Sequence, residues 1–172
     1  FKPFVYAAAL DSGYSPATIV IDAPIEEATL KEGEFWRPKN YTDKFYGPSP
    51  VRKGIEESRN LMTVRLAKAV GMETIAAYAE KFGVYENMKP YLSMSLGSQE
   101  TTLYKMVSAY AMFANGGERV LPTLVDRVQD RDGNTVFKHD NRSCEDCKRS
   151  DLVTGWLPEI TSDREKVVDQ VT

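Results

Sequence analysis

The chain contains 172 residues, of which 42% are apolar and 27% charged, so it has the composition of a globular protein with one sizeable core. Its 22 basic and 25 acidic residues give a net charge of −3. The chain therefore lacks the excess of positive charge that nucleic-acid-binding proteins need, and a nucleic-acid partner is not expected. No apolar run reaches the roughly 20 residues that span a bilayer, and the residues Phe1 to Phe4 do not show the charged-then-apolar pattern of a secretion signal.

The first predicted element is a helix over residues 1–10. Ala7, Ala8 and Ala9 are strong helix formers, and Pro3 is tolerated because it falls in the first turn. The small alanine side chains allow neighbouring elements to approach closely, so we expect this helix at the centre of the domain.

Residues 14–50 contain five prolines and no long hydrophobic period, which favours extended segments and turns. The run 17–22 has strand propensity, and 35–41 is predicted to be a structured loop fixed by Trp36. A loop region of this length in a compact domain commonly lines a functional site, although an aromatic connector explains it equally well. Trp36 and Tyr41 are therefore candidates for the wall of a cleft or for the core.

The next helices are predicted from apolar residues at helical spacing: a short one after Pro50, then 61–70 and 72–82. The tripeptide Ser58-Arg59-Asn60 stands directly before the second of these, so we expect it at a helix N-terminus. There Ser58 or Asn60 could simply cap backbone N–H groups that lack partners within the helix.

The clearest helix covers residues 101–117, with threonines before it and glycines after it. Its apolar stripe is predicted to be buried, namely Leu103, Met106, Val107, Tyr110, Ala111 and Ala114. A hairpin is predicted over about 122–138, around Asp132-Gly133, then a polar loop over about 140–160 and a helix over 163–172.

Cys144 and Cys147 form a single C-x-x-C motif in a polar segment. A structural zinc site needs four ligands, and His139, the only histidine, would supply a third at most, so no metal site is predicted. A disulfide across the two-residue gap is favoured, with free thiols as the alternative. His139 itself is expected at the surface.

Three strings, taken in order, resemble the transpeptidase domain of class A penicillin-binding proteins, the 1A type in particular: Phe1-Lys2-Pro3-Phe4, Ser58-Arg59-Asn60 and Phe113-Ala-Asn-Gly-Gly117. The likeness continues through Ala23–Ile25, Trp36–Tyr41, Ser93–Gly97 and Asp126–Arg127. The family's signatures are Ser-x-x-Lys, a Ser-x-Asn type triplet and Lys-Thr-Gly. Lys2 matches the lysine of the first signature, and Ser58 with Asn60 matches the second.

The resemblance implies that Lys2, Ser58 and Asn60 are catalytic and that Asn60 also binds substrate. Lys2, with a lowered pKa, would take the proton of a nucleophilic serine. Ser58 would relay a proton to the leaving D-alanine nitrogen, and Asn60 would hold Lys2 and hydrogen-bond the peptide donor. No cofactor is implied.

Two parts of the family pattern are expected outside residues 1–172. The nucleophilic serine would stand three positions before Lys2. The Lys-Thr-Gly strand would follow Thr172, since Val153-Thr-Gly155 lacks the lysine. We therefore expect a partial transpeptidase domain, inactive alone, with an α+β and mostly helical fold: the penicillin-binding-protein (serine β-lactamase-like) fold without most of its central sheet.

The implied function of the parent protein is peptidoglycan D,D-transpeptidation at the periplasmic face of the bacterial inner membrane. D-Ala-D-Ala stem peptides would be its substrates and β-lactams its inhibitors, with a membrane anchor and a glycosyltransferase domain outside these residues. A helix face left without its sheet would favour self-association or cover by another chain. The alternatives are a penicillin-sensing or scaffold module without turnover and a β-lactamase-like hydrolase.

Overall fold

The computed structural model describes residues 1–29, 31–145, 147 and 158–172. The helices in this part of the chain are α1 (Lys2–Asp11), α2 (Val51–Glu56), α3 (Asn60–Val70), α4 (Met72–Lys81) and α5 (Leu103–Ala114), with a 3₁₀ turn over Leu92–Leu96. These five helices were all predicted, because apolar residues recur at helical spacing and glycines follow α1, α3, α4 and α5.

The strands form antiparallel pairs of two. The pairs are β1 (Ile19–Asp22) with β4 (Gly47–Pro50), β2 (Glu27–Ala28) with β3 (Phe35–Trp36), β5 (Arg127–Gln129) with β6 (Thr135–Lys138), and β7 (Ser143–Glu145) with β8 (Glu159–Thr161). The β5–β6 pair lies within the segment predicted as a hairpin. The presence of both helices and small sheets agrees with the predicted α+β class.

The core is built around α1, which packs on α3 and α4. Phe4, Val5, Ala8 and Ala9 are completely buried, which confirms the prediction of a central helix. The Phe4 ring lies 5.3 Å from the ring of Phe82, edge-on, a favourable arrangement of aromatic quadrupoles. Lys2, in the first turn of α1, is thereby held at one end of a rigid core helix.

The predicted burial of the apolar stripe of α5 is wrong for four of its six members. The exposed ones are Leu103, Val107, Tyr110 and Ala114, and Met106 and Ala111 are partly buried. Ala109 and Met112, outside the predicted stripe, pack into the core. The helix carries apolar residues on nearly every side, so hydrophobic periodicity could not decide which side would pack. An apolar face of α5 is therefore open to solvent.

The predicted helix over 163–172 is absent. Residues 165–168 instead run beside Gly117, whose carbonyl accepts a hydrogen bond from the Val167 N–H at 2.7 Å. Val167 and Val168 are buried, and Val171 is exposed. Helical spacing of valines was misleading here because backbone pairing buries two of them in an extended segment.

The segment predicted as a polar loop has strands at its two ends, β7 and β8, while residues 148–157, including Trp156, lie outside the described residues. The sulfur atoms of Cys144 and Cys147 are within bonding distance, with Cα atoms 5.7 Å apart. His139 is half-buried. Tyr41 is fully exposed and Trp36 half-buried, so Tyr41 is not part of the core.

Candidate active site

The Lys2 side chain ends between three oxygen atoms of the Ser58–Asn60 segment. Its Nζ donates to the backbone carbonyl of Ser58 at 2.5 Å, to Ser58 Oγ at 3.0 Å and to Asn60 Oδ1 at 2.7 Å. An ammonium group has three donors, and each has an acceptor here. The structure thus brings together the three residues that the sequence singled out, from positions more than fifty residues apart.

Ser58 has an unusual backbone conformation for a residue with a side chain. Its φ is +52°, in the left-handed region that normally favours glycine. The Ser58 N–H bonds to the carbonyl of Ile55 and the Arg59 N–H to that of Gly54, the hydrogen-bond pattern of a Schellman motif at the end of α2.

The same motif ends α1 and α4, and there the left-handed position is occupied by Gly13 and Gly83. A serine at this position costs backbone strain, and strained residues cluster at functional sites. The left-handed backbone conformation of Ser58 accompanies the placement of its hydroxyl beside Lys2 Nζ.

Asn60 is fixed by the loop residues Lys39 and Asn40. Its Nδ2 donates to the Lys39 carbonyl at 2.8 Å, which leaves Oδ1 facing Lys2. Asn40 Oδ1 accepts hydrogen bonds from the backbone N–H groups of Asn60 at 2.9 Å and Leu61 at 3.2 Å. The first turn of α3 is therefore capped by a side chain 20 positions upstream.

A buried carboxylate supports Asn40 in turn. Asp22 is completely buried; its Oδ1 accepts a hydrogen bond from Asn40 Nδ2 at 2.8 Å, and its Oδ2 lies 3.6 Å from Arg59 Nη1. The Asn40 Nδ2 group also donates to the Lys44 carbonyl at 2.9 Å. A buried charge is tolerated only with such partners.

Arg59 lies between the two site residues in sequence but faces away from Lys2. Its guanidinium bonds Ser49 Oγ at 2.8 Å and Glu57 Oε2 at 2.7 Å, and its carbon lies 4.1 Å from the centroid of the Tyr46 ring. The Arg59 side chain is only 8% exposed, and it forms ion pairs with Asp22 and Glu57. It is therefore an ion-paired residue rather than a solvated one. It links α3 to the β1–β4 pair.

Burial lowers the pKa of the Lys2 ammonium from its ordinary value. The shift increases the share of neutral amine, which can accept a proton from a neighbouring hydroxyl. Lys2 and Ser58 can therefore pass a proton between them over 3.0 Å, while Asn60 fixes the amine. Such an arrangement suits acyl transfer through a serine nucleophile, where a base and a proton relay are both needed.

Asn40 and Asp22 are the site residues that sequence patterns missed. A cap at the start of α3 was expected from Ser58 or Asn60, yet neither supplies one locally. Asn40 follows Lys39 in a loop, and Asp22 ends a four-residue strand. No local rule links either of them to the start of α3 at Asn60.

A family model described as the penicillin binding protein transpeptidase domain matches residues 1–150. The chain therefore belongs to the family of penicillin-binding protein transpeptidase domains. Within that family it is similar to penicillin-binding protein 1A of Rickettsia bellii (strain RML369-C), with 46% identity over 150 residues. That match covers 87% of this chain and 19% of the relative, so the chain spans about a fifth of its length.

Solved structures show the same fold. The crystal structure of penicillin-binding protein 1A from Haemophilus influenzae matches 80% of this chain and 20% of its own, with a TM-score of 0.72 and 32% identity. PonA1 from Mycobacterium tuberculosis, solved in complex with penicillin V, shares the fold with a TM-score of 0.69 at 22% identity, over 80% of this chain and 39% of its own. Among the described residues, none of the helices combines the length and apolar character needed to cross a membrane.

Proposed function

We propose that the protein carrying this chain is a peptidoglycan D,D-transpeptidase that crosslinks stem peptides through a serine acyl-enzyme. The observation that carries the proposal is the convergence of Lys2 Nζ on Ser58 Oγ and Asn60 Oδ1. Membership of the transpeptidase family and 46% identity to a penicillin-binding protein 1A support it.

In the proposed mechanism, the nucleophilic serine stands three positions before Lys2, on the same helix face. Neutral Lys2 takes its hydroxyl proton as the oxygen attacks the D-Ala-D-Ala carbonyl. Ser58 then passes its proton to the leaving D-alanine nitrogen and takes one from the Lys2 ammonium, so the amide bond breaks and Lys2 is neutral again. The amine of a second stem peptide attacks the acyl-enzyme and gives a proton to Lys2. Lys2 returns that proton to the serine oxygen as the crosslinking amide forms and the serine is released. Asn60 holds Lys2 and hydrogen-bonds the donor peptide.

A β-lactam would acylate the same serine, so a fluorescent penicillin tests the proposal. We expect the full-length protein to be labelled covalently and residues 1–172 alone to remain unlabelled. Lys2→Met should slow labelling of the full-length protein by about 10²- to 10⁴-fold, the usual contribution of a general base. Lys89→Met, which removes an exposed lysine, is the control and should label at the unmodified rate. Labelling of residues 1–172, or equal rates for Lys2→Met and its control, would contradict the proposal.

The fate of the acyl-enzyme separates this function from the two alternatives. A β-lactamase-like hydrolase would lose the label within seconds to minutes of turnover and release hydrolysed penicillin. A penicillin-sensing or scaffold module would keep the label but form no crosslinks from purified stem-peptide substrate. Stable labelling together with crosslink formation is the outcome expected for the transpeptidase.

The proposal includes a place in the cell and further parts of the protein. We place the domain at the periplasmic face of the inner membrane, with a membrane anchor and a glycosyltransferase domain outside residues 1–172, since its relatives are several times longer. The open face of α5, with Leu103 at 80% and Val107 at 58% exposure, is expected to be covered in the full protein or by a second copy. Residues 1–172 alone should therefore self-associate; a monomer in sedimentation at high concentration would argue against this.

A further inference from the structure

We propose that Asn40 is a positioning residue that holds the start of α3, and with it Asn60, against Lys2. The inference rests on the proposed function, because it concerns the same site. Asn40 is only 6% exposed and each polar atom of its amide is used. Its role is to connect a buried carboxylate on one side with a helix terminus on the other.

The hydrogen bonds at the start of α3 leave Asn60 little freedom. The Asn40 oxygen takes the N–H groups of Asn60 and Leu61, and the carbonyl of the preceding residue, Lys39, takes the Asn60 side-chain amide at 2.8 Å. Backbone and side chain of Asn60 are therefore fixed by two adjacent loop residues. Only the Asn60 Oδ1 atom remains directed to Lys2 Nζ, at 2.7 Å.

Asn40 can fix the start of α3 because its own side chain is held by Asp22. Asp22 Oδ1 accepts from Asn40 Nδ2 at 2.8 Å, and this orients the Asn40 amide with its oxygen toward α3. Asp22 belongs to β1, which pairs with β4, and Asp22 is completely buried. The position of Asn60 thus depends on a β-strand outside the family's sequence signatures.

Removing the Asn40 side chain should loosen the first turn of α3 without removing any group that contacts Lys2. Misplacement of a catalytic group by about 1 Å can cost about 100-fold in rate. We expect Asn40→Ala to lower the second-order rate constant for penicillin acylation of the full-length protein by about 10- to 100-fold. The rate constant is normalised to the number of sites finally labelled, so that unfolded protein does not contribute.

Thr102→Ala is the matched control. Thr102 Oγ1 caps α5 by accepting from the Lys105 N–H at 3.2 Å and takes no part in the hydrogen bonds of Lys2, Ser58 and Asn60 described above. Its loss should lower the melting temperature but leave the normalised acylation rate constant within about twofold of the unmodified protein. A rate loss in Thr102→Ala equal to that in Asn40→Ala would show a general stability effect and overturn the inference.

A charge swap tests the link to Asp22. Asn40→Asp keeps an oxygen for the α3 N–H groups but sets two buried carboxylates against each other, which is unfavourable. Acylation should be slow in that variant and recover at least tenfold when Asp22→Asn is added, because the double variant restores a donor–acceptor pair between positions 22 and 40. If acylation did not recover in the double variant, or if Asn40→Ala reacted as fast as the unmodified protein, the inference about Asn40 would be overturned. Neither result would contradict the proposed function. Failure of the unmodified protein to label would instead contradict the proposed function.

Discussion

Lys2 Nζ and Asn60 Oδ1 lie 2.7 Å apart, although 58 positions separate the two residues in the chain. The contact joins the first turn of the central helix α1 to the first turn of α3. Since α1 packs on both α3 and α4, the core fixes where the two helix starts lie relative to each other. The contact is therefore set by the fold rather than by local sequence.

The pH dependence of acylation should report on Lys2. Burial lowers the pKa of Lys2 below its ordinary value of 10.5, and the neutral amine is the form that accepts a proton. The rate constant for penicillin acylation should therefore rise with pH and level off above a midpoint lower than 10.5. Lys2→Arg should abolish the rise of the rate constant with pH, because a guanidinium does not lose its proton in this range. A pH-independent rate in the unmodified protein would rule out the assigned role.

Substitutions of Ser58 should separate its hydroxyl from its backbone strain. Ser58→Ala and Ser58→Gly both remove the hydroxyl, so both should slow acylation by about 10²- to 10⁴-fold. Only glycine relieves the φ of +52°, so the free energy of unfolding of Ser58→Gly should exceed that of Ser58→Ala by about 1–2 kcal/mol. If Ser58→Gly were acylated nearly as fast as the unmodified protein and only Ser58→Ala were slow, the rates would follow stability. Ser58 would then have a structural role instead.

Gly54 should be required for the close approach of α2 to α1. A Cβ atom at Gly54 would overlap the Tyr6 hydroxyl and come within 3.2 Å of Met62 Cε. Gly54→Ala should lower the free energy of unfolding by about 1–3 kcal/mol, as overpacking does.

Adding Tyr6→Phe removes the atom that the new methyl group would meet. In a double-mutant cycle followed by denaturant unfolding, the cost of Gly54→Ala should therefore fall in the Tyr6→Phe background. Strictly additive costs would mean that the two positions are not in contact.

Gly117 and Gly133 offer a comparison of strain with and without steric overlap. Both have positive φ values, +91° and +86°, but a Cβ at Gly117 would overlap the Val168 carbonyl, whereas nothing lies within 4 Å at Gly133. Gly133→Ala should cost only the backbone strain, about 1–2 kcal/mol. Gly117→Ala should cost clearly more, since residues 165–168 must move; equal losses in thermal unfolding would contradict this packing.

Local rules account for α1 to α5, whereas Lys2, Ser58 and Asn60 were identified as candidates from the family resemblance. Glycines mark the ends of α1, α3 and α4, and the Ser58-Arg59-Asn60 string was recognised from its likeness to a family signature. Tertiary features could not be derived in this way. The exposed side of α5 was not predictable because Leu103 and Met112, on different sides, are both apolar. Nor was the Asn40 cap, because hydrogen bonds between positions 40 and 60 depend on how β1 and the loop pack.

The cap from Asn40 has a consequence for building chimeras between penicillin-binding proteins. If only the Ser58–Asn60 tripeptide were moved into another penicillin-binding protein, the start of α3 would face that protein's own loop instead of Asn40. Residues 19–60 hold the carboxylate, the amide and the tripeptide, and should be exchanged as one cassette. Insertions between positions 40 and 60 are tolerable only where they leave the reach of the Asn40 amide unchanged.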